Sequence, residues 1–240
     1  MAAITYRPTL AHLAVVLALA VMLIAYPFIV DELLSRFGVR AVALAGLASL
    51  VLGFFARRGT SVRANGRRDL GISAAALGAG FVTGEPRFLL LLPALINLQI
   101  YFVCRDSLRE DPSVIERMAR YLQPRLPEFT RGYCRACTRF WAGFFAANVA
   151  VISALAFFAP LSVWRVYTGP VYVTLLSVLG LAEFLCRKIY FRYYADNWFD
   201  RLFSTWFPAE ATARGRRSAA YIASFSSGDA RENDARNSAS

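Results

Sequence analysis

Six apolar stretches, most of them about the length a helix needs to cross a bilayer, constrain this chain more than any other feature. Leu10 to Val30 runs unbroken and holds only His12 as an ionisable group. A hydrocarbon core about 30 Å thick takes roughly 20 helical residues, so this stretch is long enough to cross once. A secretory signal has a shorter apolar core and a small-residue cleavage site. Here the run continues through Tyr26, Pro27 and Phe28, which is the pattern of a retained first helix. Val39 to Ala56 reads as a second helix, stopped by Arg57 and Arg58. The third, Leu70 to Gly84, is short, and Gly71, Gly78 and Gly80 would let a neighbouring backbone come close. Pro86 to Cys104, Phe140 to Phe158 and Val163 to about Cys186 complete the set. Composition agrees: 57% of residues are hydrophobic and 18% charged, against roughly 45–50% and 25% in a soluble domain. The expected fold is all-α, a polytopic integral membrane bundle of six transmembrane helices.

The formal charge of +11 arises from 27 Lys and Arg against 16 Asp and Glu. Cytoplasmic loops collect Lys and Arg. With a cytoplasmic N-terminus, the inner side holds Arg7, five arginines from Arg57 to Arg68, eight from Arg105 to Arg139 and nine cations after Cys186, which is 23 of the 27. The outer side holds Arg36, Arg40, Arg87 and Arg165. This asymmetry favours six spans with both termini cytoplasmic. It also requires the short third segment to cross, since a re-entrant loop there would put the eight-arginine connection outside. Orientation and contact with anionic membrane lipids account for the charge, so no nucleic-acid partner is expected.

The chain therefore divides into a six-span domain, 1–187, an interfacial aromatic helix, 188–208, and a cytoplasmic tail, 209–240. Within the first, the cytoplasmic segment 105–139 should contain an amphipathic helix. Asp111-Pro112 and Ser113-x-x-Glu116 fit an N-cap and a capping box. Ile115, Met118, Ala119 and Leu122 would face the membrane, with Glu116, Arg117 and Arg120 pointing away. In 188–208, Phe191, Tyr194, Trp198, Leu202 and Trp206 would share one face, with Tyr194, Trp198 and Trp206 as interfacial anchors. The tail is Ser-, Ala-, Asn- and Arg-rich and is expected to be disordered.

No Walker A loop, HExxH, dinucleotide fingerprint or GxSxG occurs. A lone histidine, His12, at a helix end gives a triad or zinc site little to build on. Cys134-x-x-Cys137, with Cys104 and Cys186, is read as reduced helix-end residues and not as a zinc set. Asp196-x-x-x-Asp200 has the spacing for Mg²⁺ but is read as the polar face of a helix. No metal and no cofactor is expected. Polar groups inside a membrane are costly and normally face the bundle interior, which makes Asn97, Gln99, Asn148, Glu183 and Arg187 the candidate polar cluster. Asn97 and Asn148 reach similar depths and could bond each other, while Glu183 and Arg187 have the spacing of an i, i+4 ion pair. All of them could equally serve as glue between helices. Arg117, Arg120, Arg125, Arg131, Arg135 and Arg139 form a candidate cytoplasmic docking surface.

Tyr133-Cys134-Arg135, Thr138, Trp141, Phe144-Phe145 and Asn148, followed by Ala182-Glu183-Phe184-Leu185 and Arg187-Lys188, carry a resemblance. From Pro86 to Tyr194 the chain resembles small bacterial inner-membrane proteins encoded in aryl-polyene and xanthomonadin pigment gene clusters. The resemblance brings no catalytic residue with it. It implies a multi-pass accessory in making or transferring a polyene acyl lipid, acting as scaffold or lipid handler. Its partners would then be membrane lipids, an acidic acyl carrier protein and other pathway proteins. A membrane-embedded acyl or lipid transferase using Glu183 is the enzymatic alternative. A small transporter or channel is the third reading, and requires polar groups along one continuous path.

Overall fold

The structure is a computed structural model that describes residues 10–56, 64–122, 126–192, 194 and 198–224. Arg57, Arg58, Arg63, Arg125, Asp196 and segment 225–240 lie outside the described residues, as do the side chains of His12 and Trp198. The elements are α1 (Leu10–Ala56), α2 (Ala64–Thr83), α3 (Pro86–Leu90), α4 (Leu92–Ser107), α5 (Val114–Leu122), α6 (Arg131–Phe158), α7 (Leu161–Val166), a π turn (Tyr167–Val171), α8 (Tyr172–Phe191) and α9 (Trp198–Trp206). Residues 213–224 form a further helix, α10. Among the described residues there is no strand. Four segments are long and apolar enough to cross a membrane: Ala20–Gly53, Pro86–Ser107, Glu128–Phe158 and Leu161–Phe191. Leu70–Thr83 is apolar but shorter.

The chain forms two compact units, each described by itself. The first comprises 8–114 and 138–176. Its α1 is 47 residues long, about 70 Å if straight at 1.5 Å per residue and over twice a bilayer core. Gly38, at φ 76° and ψ 166°, breaks it. A residue without Cβ adopts that conformation without a steric penalty. Tyr26 and Leu33 before the break and Ala45 and Ser49 after it line one cavity, so the two arms of α1 fold back towards each other. The break separates the two helices expected at Leu10–Val30 and Val39–Ala56. Ala43 then packs on Leu77 of α2 and Leu89 of α3.

A second apolar cluster joins Leu90, Ala156 and fully buried Trp164 to Tyr26 and Leu34. Pro170 lacks an N–H and would clash with the carbonyl four residues back, and the helix widens here into the π turn. Gly169 in that turn lies against α1: a Cβ there would stand 3.1 Å from both Ile24 O and Pro27 Cγ. A side chain would push the two helices apart.

The second unit comprises 115–137 and 177–240. Its core gathers Ala119, Leu126 and Cys134, with Ile115 against them. Three expectations are corrected here and at the start of α5. The helix begins at Val114, whose N–H is taken by Ser107 Oγ at 3.2 Å, and Ser113 Oγ makes no hydrogen bond among the described residues. Glu116, expected to point away, is buried, while Met118 and Tyr121 are exposed. Burial of that carboxylate is offset by two bonds from Arg120, at 3.0 and 2.8 Å to Glu116 Oε1, which are charge-assisted.

The expected interfacial helix 188–208 is in fact interrupted. Lys188 to Phe191 belong to α8, and Arg192 at φ 50° ends it, in the left-handed region that does not propagate a helix. Asp200 of α9 is buried against Lys188, Nζ to Oδ1 2.6 Å, and so is not on a solvated polar face. Tyr194 is half-buried and donates to Phe207 O at 2.7 Å. Burial, with the Asp200 carboxylate adding to it against Arg192, raises its phenol pKa, which keeps it a neutral donor. Trp206 is exposed. The tail does not begin at Ala209: α10 docks through buried Ser218, whose Oγ donates to Phe191 O at 2.8 Å. Gly215 sits so close to Ala209 that a Cβ would lie 2.1 Å from its carbonyl oxygen.

Candidate functional site

Asn97 and Asn148 use the same arrangement with different partners. Asn97 Nδ2 donates to Pro93 O at 2.8 Å and Oδ1 accepts from Tyr172 OH at 2.9 Å. Asn148 Nδ2 donates to Phe144 O at 2.9 Å and Oδ1 accepts from Tyr167 OH at 2.9 Å. The mutual Asn97–Asn148 bond is thus replaced by a tyrosine for each. The two tyrosines flank the π turn, and both asparagines are buried. Each amide spends a donor on its own helix at i−4 and turns its oxygen to the neighbour, so a polar group in a hydrocarbon setting is satisfied. Gln99 Nε2 donates to Ser73 Oγ at 3.0 Å, tying α4 to α2.

The cost of removing such a bond is measurable. A double-mutant cycle with Asn97→Leu and Tyr172→Phe is expected to give a coupling of about 0.6 kcal/mol, and no more than about 1.7. Unfolding of the detergent-solubilised protein by added denaturing detergent supplies the four values. Additive losses would show that the bond contributes nothing.

The first unit also contains the cavity between the arms of α1, about 490 Å³ in volume. Tyr26, Phe37, Val42, Leu77, Leu89 and Leu92 are among its lining residues, and no charged residue is. In the second unit, Glu183 accepts at Oε1 from Cys137 Sγ at 3.8 Å, and its Oε1 lies 3.7 Å from Arg187 Nε. Tyr133 OH reaches the Glu183 carbonyl at 3.4 Å. A smaller pocket of about 130 Å³ is lined by Arg187, Lys188 and three phenylalanines, among others. Among the described residues, no group of three or more His, Cys, Asp and Glu is placed to hold a metal ion, and none of the four cysteines forms a disulfide.

The five polar candidates therefore divide: Asn97, Gln99 and Asn148 lie in the first unit, Glu183 and Arg187 in the second. Among the candidate docking arginines, Arg131 and Arg139 are exposed, Arg117 and Arg135 are half-buried, and Arg120 is committed to Glu116. Sequence reasoning missed Tyr167, Tyr172 and Tyr133. The first two carried a signal, since tyrosines on either side of Thr168-Gly169-Pro170 mark a helix whose bonding must rearrange.

Fold and site together define an all-helical protein, among the described residues, with four segments long and apolar enough to cross a membrane, buried amide–tyrosine pairs and a cavity with a mostly apolar wall. Comparison of the chain with protein families, curated proteins and solved structures gives no match.

Proposed function

We propose that this chain is a multi-pass protein of the bacterial inner membrane that holds a long apolar chain, as an accessory to aryl-polyene or xanthomonadin-type pigment lipid synthesis or transfer. The observation that carries this reading is the 490 Å³ cavity walled by apolar residues of α1, α2, α3 and α4. Its volume is in the range of about 300–1,000 Å³ that small-molecule sites occupy. With no charge on its wall, the cavity suits a hydrocarbon or polyene and not a polar metabolite. Six spans with both termini cytoplasmic complete the proposal. The break at Gly38 supports counting α1 as two crossings, and the positive charge asymmetry supports the orientation. Exposed Arg139 would then be available to an acidic carrier protein or to anionic lipid. The transferase alternative has less support, because neither of the two cavities is lined by Glu183 or Asn148.

Pigment extraction from a strain lacking the gene tests the proposal. Deletion is expected to remove or reduce the polyene lipid, and the wild-type gene to restore it. Ala45→Phe, which fills the cavity from its α1 wall, should not restore it although the protein reaches the membrane at normal level. Unchanged pigment on deletion would end the pathway assignment. Full rescue by Ala45→Phe would end the role of the cavity.

A further inference from the structure

The 130 Å³ pocket of the second unit has a different chemistry from the cavity of the first. Its wall combines Phe129, Phe184 and Phe191 with Arg187 and Lys188, and no carboxylate-bearing residue lines it. Lys188 is held by Asp200. Arg187 is ion-paired with Glu183, but 3.7 Å from Nε to Oε1 is longer than a hydrogen bond, so its guanidinium N–H groups can still donate to another acceptor. Two more cations stand over rings, one on the pocket wall and the other on Tyr190, which does not line it. Arg217 stands over the Phe129 ring at 5.7 Å and Arg214 over the Tyr190 ring at 4.0 Å. Neither forms an ion pair among the described residues. Arg192 Nε is buried with no hydrogen-bond partner. Arg187 and Lys188 thus have the carboxylates of Glu183 and Asp200 beside them, and Arg217 adds a cation over an aromatic ring of the pocket wall.

The location narrows the ligand. Arg187, Lys188 and Phe191 close the last turn of a segment long and apolar enough to cross a membrane, which is where lipid headgroups lie. Basic pockets at that level hold anionic lipid headgroups. The volume admits several water-sized atoms, enough for one phosphate group and too little for an acyl chain. We propose that this pocket binds the phosphate headgroup of an anionic membrane lipid, with Arg187 as its principal ligand, Arg217 as a second cation and Phe129 and Phe191 against the glycerol end. The site lies in the second unit and does not depend on the cavity reading above.

The test uses the full chain in a non-ionic detergent, with dihexanoyl phosphatidate, dihexanoyl phosphatidylcholine and inorganic phosphate as three probes. Binding is read as the concentration-dependent rise in melting temperature. Phosphatidate should raise it, and phosphatidylcholine and inorganic phosphate should fall at least tenfold short in apparent affinity. Arg187→Gln should weaken phosphatidate binding at least tenfold, and exposed Arg217→Gln several-fold with the unliganded melt unchanged. The second variant keeps the test decisive where the first unfolds. Equal binding of free phosphate would reassign the pocket to a soluble anion and overturn the lipid. Equal binding of phosphatidylcholine, or no loss in either variant, would overturn the role of the cations.

Discussion

Replacing Lys188 by Met is expected to lower the stability of the second unit by about 3–5 kcal/mol, the range found when one partner of a buried ion pair is removed. Lys188 and Asp200 have side chains only 15% and 3% exposed and approach to 2.6 Å. Without the ammonium, the buried Asp200 carboxylate loses the charge-assisted bond that Lys188 gives it at 2.6 Å. The helix that carries it, α9, must then pull away. Detachment of α9 also removes the anchorage of Tyr194, which is bonded to Phe207 just beyond that helix. The expected readout is a large fall in melting temperature and rapid cleavage by trypsin at Arg201 and Arg214. Lys188→Met with Asp200→Leu should recover most of the loss, because replacing both charges by apolar groups removes the desolvation cost along with the attraction. Arg36→Gln supplies the contrast: its pair with Glu32 has side chains 68% and 59% exposed, and solvent leaves such a pair little to contribute. If Lys188→Met melted like Arg36→Gln, the buried pair would not hold α9 in place.

The apolar helices were legible in the sequence because hydrocarbon admits only backbones that satisfy their own hydrogen bonds. Leu10–Val30 and Val39–Ala56 had to be helices for that reason, whereas the continuation of the first through 31–37 up to the break at Gly38 was not legible from hydropathy. The partners of buried polar groups were not legible. Helical rise gives Asn97 and Asn148 similar distances from the ends of their apolar segments, yet which neighbour meets each oxygen depends on how helices rotate about their axes. That rotation is set by local contacts such as Gly169 against Pro27. The same limit applied to α5 and to the chain after Phe191. Periodicity placed Glu116 and Asp200 on solvated faces; inside, Glu116 is bonded by Arg120 one turn on along its own helix and Asp200 by a tertiary partner, Lys188. Residues 213–224 carry little apolar bulk beyond Tyr221 and Ile222, and they dock through close approach at Gly215 and Ser218 together with the Tyr221 ring against Phe129, which hydropathy does not register.

Trp164→Ala should be the most damaging single change in the first unit, at about 3–5 kcal/mol. The indole is fully buried, and it packs with Leu90 and Ala156 in the cluster that also takes in Tyr26 and Leu34. It also does something no aliphatic residue could. Leu90 is the last residue of α3, where helical carbonyls lose their intrahelical partners, and Trp164 Nε1 donates to the Leu90 carbonyl at 3.1 Å. Truncation to Ala therefore opens a ring-sized void and leaves that acceptor unpaired in an apolar setting. Trp164→Phe separates the two losses. It retains most of the packing and forfeits the indole N–H, so its cost should be about 1–3 kcal/mol, the price of an unsatisfied buried acceptor. Denaturing-detergent titration of the three proteins, followed by helical circular dichroism, orders them as wild type, Phe, Ala. If Phe and Ala melted together well below the wild type, the hydrogen bond would dominate the joint between α3 and α7. If Phe matched the wild type, packing alone would account for it.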